Sequence, residues 1–243
     1  MSWGRVKVNS PGKLASFLDS PDDIYGSGAD LDATISTNAT MTSDMYYYNL
    51  TIDGSVTYNT GGYRLFVKNV LTMGASSVIG LPGGSTAVGT LKGGAAVTAD
   101  TTNSLGGNGN TDSSADGGTA TAPTAAQGGT AYWKYPSQAI RGYAVTASAT
   151  TPTYLEGGAG GPTGQGAGGG VVIVAARYIS TTGACTISAT GGAQAGGGVV
   201  IFISSTDKAT FDTQTHLSLS AAKGSGSGGE NHTDGTTIYI EVD

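Results

Sequence analysis

The sequence predicts an all-β fold made of short, repeated strands, and three observations support this prediction. Glycine supplies 42 of the 243 residues, which is more than twice its usual share. Short apolar runs alternate with glycine-containing turns along most of the chain, and helix signals are weak, the best lying in residues 13–18. We therefore expect a short-strand repeat architecture, either a β-solenoid of the β-helix kind or a β-sandwich, with long glycine-rich loops.

Residues 33–80 form the first predicted β-repeat region. The run from Tyr63 to Met73 places Tyr63, Leu65 and Val67 on one face and the intervening residues on the other, which is the period-two pattern of a half-buried strand. Three consecutive tyrosines at 46–48 follow the same alternation, so we expect one face of them to be core. Asp53-Gly54 and Thr60-Gly61-Gly62 are turn signals.

Residues 171–243 form the second predicted β-repeat region and contain the clearest internal repeat. The segment Gly168-Gly-Gly-Val-Val-Ile is repeated as Gly196-Gly-Gly-Val-Val-Ile, with Val171 and Val199 28 residues apart. A third version begins at Gly235, where Ile238, Ile240 and Val242 face one way. None of these units could bury its apolar face alone, so we expect them to stack. The run from Val171 to Ala176 is apolar on both faces, which predicts a strand covered on both sides.

Residues 81–170 read as a glycine-rich insertion between the two β regions. The insertion has few large aliphatic side chains but carries an aromatic island at Tyr132, Trp133 and Tyr135, followed by Tyr143. Aromatic rings stack on sugars and fill protein-binding hot spots. These four residues are our candidate receptor or subunit contacts. The alternative is that the rings only anchor the insertion to its own body or to a neighbouring subunit.

Residues 1–32 have a charge pattern of their own. Cations cluster near the start, at Arg5, Lys7 and Lys13, and five aspartates follow by residue 32. We expect this segment to be a docking arm, with Trp3 and the three cations as candidate contacts. A frayed terminus with solvated charges is the alternative interpretation.

Composition and motifs exclude several classes of function. The net charge of −6 argues against a nucleic-acid partner, and the absence of a long apolar run argues against membrane insertion. No signal peptide is visible, so we expect synthesis in the cytoplasm. The lone Cys185 is expected to be a small buried side chain. His232 with Asp234 and Glu230 could bind a cation, but a solvated polar loop is the better interpretation. We expect no cofactor, no metal and no catalytic residue.

The glycine repeats and the segment Gly62-Tyr-Arg-Leu-Phe-Val-Lys-Asn resemble glycine-rich virion proteins of tailed bacteriophages, which are fibre, tail-tip or surface components. The glycine patches also resemble those of T-even-type fibre-tip adhesins, in which glycine-rich strands pack as polyglycine II helices. The resemblance covers roughly residues 45–243. It implies a location on the particle exterior, an intertwined homotrimer and contacts with other virion proteins. It also implies a host cell-surface glycan or outer-membrane protein as receptor.

The resulting functional expectation is host attachment as a fibre or tail-tip adhesin. A purely structural role, as head decoration or as a tail or neck component without a receptor, is the first alternative. A polysaccharide depolymerase is the second, because β-helical depolymerases can hide a carboxylate pair among distant residues. An ice-binding protein fits less well, since the sequence has no regular Thr-x-Thr array.

Overall fold

A computed structural model describes residues 24–80, 143–144, 153–154, 157–161, 166–214, 216–226 and 232–242. These residues are mostly β-strand, so the predicted all-β class is confirmed. The strands are β1 Ala33–Ile35, β2 Ala39–Thr40, β3 Met45–Tyr47, β4 Leu50–Ile52, β5 Thr57–Asn59, β6 Leu65–Met73, β7 Val78–Gly80, β8 Tyr143–Ala144, β9 Thr153–Tyr154, β10 Val171–Thr181, β11 Cys185–Ser188, β12 Val199–Ser204, β13 Leu217–Ser220 and β14 Thr236–Glu241. One short helix, α1, spans Lys208–Gln214.

The strands form two main parallel sheets. Sheet A has the order β1-β4-β6-β10-β12-β14, with β3 also pairing with β6, and sheet B has the order β13-β11-β7-β5-β2. From β4 onward the strands of these two sheets alternate between them along the chain, and each pairs with the strand of the previous pass through the same sheet. A sandwich of the immunoglobulin kind pairs its strands antiparallel. The strand direction of these two sheets therefore differs from that of an immunoglobulin-type sandwich.

The internal repeats lie side by side in the structure. Val171 of β10 pairs with Val199 of β12, and Val199 in turn pairs with Thr236 of β14. The earlier copy also pairs in parallel, with Leu65 of β6 opposite Val174 of β10. The strands of the repeats thus pair side by side within sheet A.

The main core lies between the two sheets. It is lined by every second residue of the sheet A strands and by the inward residues of sheet B, and its members include Leu65, Val174, Phe202, Ile79 and Ile187. All five of these side chains are fully buried. Identical or similar apolar side chains stack from pass to pass, so the period-two pattern of each strand places its apolar set in one continuous interior.

A second apolar cluster covers the opposite face of sheet A. It contains Val171, Ile173 and Ala175 of β10 together with residues of β12 and β14. The prediction that the run 171–176 is covered on both sides is therefore confirmed. Phe66 of β6 also belongs to this cluster. The outward face of β6 is therefore buried at Phe66, although the sequence pattern predicted a strand with one exposed face. Ile24 and Tyr25, which the sequence analysis placed in the N-terminal arm, are buried in the same cluster.

Helix α1 was not predicted. It stands in the connection between β12 and β13, where Asp207 caps its N-terminus by accepting a hydrogen bond from the backbone N–H of Thr210 at 2.9 Å. Phe211 is the only large apolar side chain of the helix, and it packs against Phe202 and Tyr239 of sheet A. Such a short segment has no readable helical period, so tertiary packing around one ring decides its conformation.

Candidate functional site

The most unusual part of the described structure is a glycine-rich bundle at one corner of the sheets. Its segments run from the ends of sheet B strands to the beginnings of sheet A strands. Residues 189–192 and 221–226 follow β11 and β13, whereas 166–170, 195–198 and 232–235 lead into β10, β12 and β14. Residues 157–161 complete the bundle. Earlier in the chain, the equivalent connection from sheet B to sheet A is only the short turn between β5 and β6. Gly61 and Gly62 in this turn adopt positive φ of 60° and 83°.

The segment 195–198 lies at the centre of the bundle and is hydrogen-bonded to each of the five other segments. Gly196 N donates to Ala159 O at 2.9 Å, and Gly169 N donates to Gly196 O at 3.0 Å. The remaining contacts use the same kind of bond: Gly198 N to Ala189 O, Gly224 N to Ala195 O and Gly197 N to Thr233 O. A strand within a sheet has only two neighbours, so this segment is bonded in more directions than a sheet allows.

The bundle is packed backbone against backbone, with no room for side chains at several glycines. A Cβ atom on Gly198 would lie 2.1 Å from Gly170 O, and one on Gly224 would lie 1.5 Å from Gly192 O. On Gly168 it would lie 1.8 Å from Gly158 O. These contacts are with main-chain atoms that cannot rotate away. The glycine content of this region is therefore a requirement of close packing.

The predicted insertion 81–170 meets the bundle at this corner, where its described residues 157–161 and 166–170 are part of the bundle. Gly80, the last residue of β7, pairs with Ser188 immediately before the segment 189–192. At the other end, Gly157 lies against Gly169 and Gly170 of the bundle. Gly80 and Gly157, the described residues that flank 81–156, thus both lie at this corner.

Most of the predicted contact residues lie outside the described residues. Tyr132, Trp133 and Tyr135 are among them, as are Trp3, Arg5, Lys7 and Lys13 of the predicted arm. Tyr143 lies in β8, whose backbone pairs antiparallel with β9 so that Tyr143 is opposite Tyr154. The roles assigned to these residues stay predictions.

No family model, curated protein or solved structure matches this chain. Its functional interpretation therefore depends on the geometry of the described residues and on the patterns in its sequence.

Cys185 and His232, which the sequence analysis considered for chemical roles, are both buried in the structure. Cys185 is buried, as predicted, and burial raises the pKa of its thiol to about 11. His232 is also buried, with 4% of its surface exposed, so the prediction of a solvated polar loop is wrong for this side chain. Its position within the bundle explains the difference, because residues 232–235 are packed between 195–198 and 221–226.

Neither a metal centre nor a membrane-spanning helix is found in the described parts of the chain. No group of three or more His, Cys, Asp or Glu side chains there could hold a metal ion. No helix in those parts has the length and apolar character needed to cross a bilayer. Asp234, one of the predicted cation ligands, instead accepts a hydrogen bond from the backbone N–H of Lys223 at 2.9 Å.

Sequence analysis missed one surface feature, a line of exposed side chains on sheet A. Leu31, Tyr48 and Tyr178 are the exposed large hydrophobic residues of the described structure. Leu31 and Tyr48 are joined by a hydrogen bond from Tyr48 N to Leu31 O, and β6 separates Tyr48 from Tyr178. The outward position of Tyr48 follows from the alternation at 46–48, but Tyr178 comes after a register shift between Ala176 and Tyr178 that no local pattern indicates.

Proposed function

We propose that this chain is a bacteriophage virion protein that acts in host attachment as a fibre or tail-tip adhesin. Its body would be a short parallel β-solenoid, in which each pass adds one strand to sheet A and one to sheet B. The proposal is supported by the parallel pairing of the repeats in sheet A. The chain would assemble as a homotrimer and dock on the particle through residues 1–32.

One observation carries the attachment role, namely that Gly80 and Gly157, which flank residues 81–156 of the predicted insertion, both lie at the glycine-rich bundle. Backbone hydrogen bonds in several directions make this corner a stiff base that needs no side-chain core of its own. Hydrogen bonding of this kind is expected for extended helices with about three residues per turn, as in polyglycine II. Binding residues are typically presented by loops on such a rigid scaffold. The aromatic island at 132–135 would then be presented outward to a receptor.

A binding assay with whole cells tests the attachment role. Fluorescently labelled full-length protein is incubated with a panel of bacterial strains, and bound fluorescence is measured by flow cytometry. We expect strong binding to at least one strain and, on that strain, competition with phage infection. A protein that binds no strain but adds to phage particles would overturn the attachment role and support the purely structural alternative.

Two single substitutions test the role of the aromatic island. Trp133→Ala should reduce cell binding about tenfold or more while the oligomeric state, measured by light scattering, stays the same. Trp3→Ala is the matched control, since Trp3 belongs to the predicted docking arm and should leave cell binding unchanged. If Trp133→Ala instead dissociates the oligomer, the island is a subunit anchor and not a receptor contact.

A further inference from the structure

The outer face of sheet A, which points away from the main core, is apolar and fully covered. We use this name for the outward residues of β10, β12 and β14 that belong to the second apolar cluster. Val171, Ile173, Val199, Ile201 and Ile203 of this face are all 0% exposed. Because these side chains are buried within a single chain, atoms of the same chain cover them and no second copy is needed.

Ile24 and Tyr25 supply one part of this cover. Within the described ranges, they are the only members of the cluster that do not lie in, or directly next to, a strand of sheet A. The face that they meet is about 14 Å wide over the three strand spacings from β6 to β14, and about 13 Å long from Val199 to Ile203. Two consecutive side chains are too small to cover it, so further residues of the chain contribute.

The contacts of residues 24–26 show from which side the chain arrives. A Cβ atom on Gly26 would lie 2.7 Å from Phe66 Cβ, so the backbone there lies directly on β6. One residue earlier, Tyr25 Oη is hydrogen-bonded to Ser205 Oγ at 2.8 Å, just after the end of β12. Ile24 is 1% exposed within the cluster. Followed toward lower residue numbers, the chain thus leads from β6 toward β10 and β12, and the residues before Ile24 begin at the outer face.

The sequence before Ile24 has the apolar residues that such a cover needs. Residues 1–23 lie outside the described residues, but their best helix signal, at 13–18, places Leu14, Phe17 and Leu18 on one side. The six residues from Leu18 to Ile24 can span about 20 Å, which is enough to bring this side anywhere over the outer face. The predicted insertion is less suited, because it has few large aliphatic side chains.

We propose that residues 13–23 bind the outer face of sheet A of their own chain, with their three large apolar side chains as the contacts. Removal of apolar surface from water on both sides is the driving force. The predicted docking arm is then divided in two. Its inner part, which includes Lys13, completes the fold, and its outer part, residues 1–12, stays available for the particle. This inference goes beyond the attachment role and does not depend on it.

Limited digestion of the full-length protein with trypsin tests this inference. Trypsin can cut after Arg5, Lys7 and Lys13, and mass spectrometry of the released fragments gives the rate at each site. A synthetic peptide of residues 1–23 supplies the intrinsic rates for normalisation. A protease cuts a packed segment only when that segment opens, so we expect the normalised rate at Lys13 to be about tenfold or more below that at Lys7.

Two single substitutions identify the side chains responsible. Phe17→Asp should raise the rate at Lys13 about tenfold or more, because an unpaired charge is costly to bury on an apolar face, and should leave the rate at Lys7 unchanged. Ser16→Asp is the matched control, since it adds the same charge on the opposite side of the predicted helical turn and should leave both rates unchanged. If Phe17→Asp does not fold, hydrogen exchange of the unmodified protein replaces it, and amides of 14–18 should exchange about tenfold or more slowly than those of 2–8.

Three results would overturn the inference. Equal normalised rates at Lys7 and Lys13 would mean that residues 13–23 are not bound. An unchanged Lys13 rate in Phe17→Asp would mean that other residues cover the outer face. Protection of Lys13 that is lost on dilution would show that the segment binds a second copy and not its own chain. None of these measurements involves cells or phage particles, so their failure is distinct from failure of the attachment role in the whole-cell assay.

Discussion

Replacing Gly198 by alanine is the most direct test of the glycine-rich bundle. The new methyl carbon would lie 2.1 Å from Gly170 O and 2.6 Å from Gly169 C, far inside van der Waals contact. Both atoms belong to the main chain, so relief requires that whole segments separate. Movement of Gly198 would stretch its two hydrogen bonds, from its N–H to Ala189 O at 2.7 Å and from Thr236 N–H to its own carbonyl oxygen at 3.0 Å.

The size of the effect follows from these contacts. Overpacking in a close-packed interior costs about 1–3 kcal/mol, and loss of two backbone hydrogen bonds costs about 1–3 kcal/mol more. We therefore expect Gly198→Ala to lower the free energy of unfolding by about 2–6 kcal/mol, a large part of the total for a typical domain. Because the bundle touches the beginnings of β10, β12 and β14, the loss should appear in global unfolding.

The assay is urea unfolding of the full-length protein, followed by far-ultraviolet circular dichroism. Gly54→Ala is the matched control, because its Cβ would meet nothing closer than Ala75 O at 3.1 Å. We expect the control to change stability by less than about 1 kcal/mol, since the reduced freedom of the unfolded chain offsets a mild contact. Equal unfolding midpoints for the two variants would refute the close backbone packing described for the bundle.

Three further predictions concern the rest of the described structure. Phe211→Ala should destabilise the protein by about 3–5 kcal/mol in the same urea assay, because the centre of its ring lies 4.5 Å from that of Tyr239 and it is the one large apolar side chain of α1. Cys185 should react with a thiol reagent at pH 8 far more slowly in the folded protein than in urea, because burial holds the pKa of its thiol near 11; equal rates would contradict its burial. Burial also raises the pKa of Tyr25 to about 12. As the pH rises, the unfolded chain therefore loses this proton before the folded protein does, and the free energy of unfolding should fall between pH 10 and about pH 12. Tyr25→Phe should make this fall less steep when the free energy of unfolding is measured against pH.

Much of the β architecture could be predicted from local patterns. Alternation at 63–73 and apolar runs at 171–176 and 199–203 indicate strands, because side chains of a strand point to opposite faces in turn. The 28-residue spacing of Val171 and Val199 predicted that two copies of one unit stack, and they pair in register. The glycine counts also indicated that part of the body would be held without side-chain packing.

The candidate site could be predicted only in part. The sequence located the glycine patches and the aromatic island, but not that Gly80 and Gly157 lie at one corner of the sheets. That corner depends on the pairing of Gly80 with Ser188, residues more than one hundred positions apart. Helix α1 escaped notice because one buried ring, Phe211, determines it. His232 was placed in solvent because its neighbours in sequence are polar.

The amino-acid sequence alone determined that this protein is built of β-strands. It also determined which residues of a strand share a face and which units repeat. Those properties depend on side-chain alternation and on turn residues, which act over a few positions. Only the tertiary structure decided that the strands pair in parallel, that 195–198 is surrounded by five segments and that Tyr48 and Tyr178 share a surface. These features depend on hydrogen bonds and contacts between distant segments, whose partners no local pattern specifies.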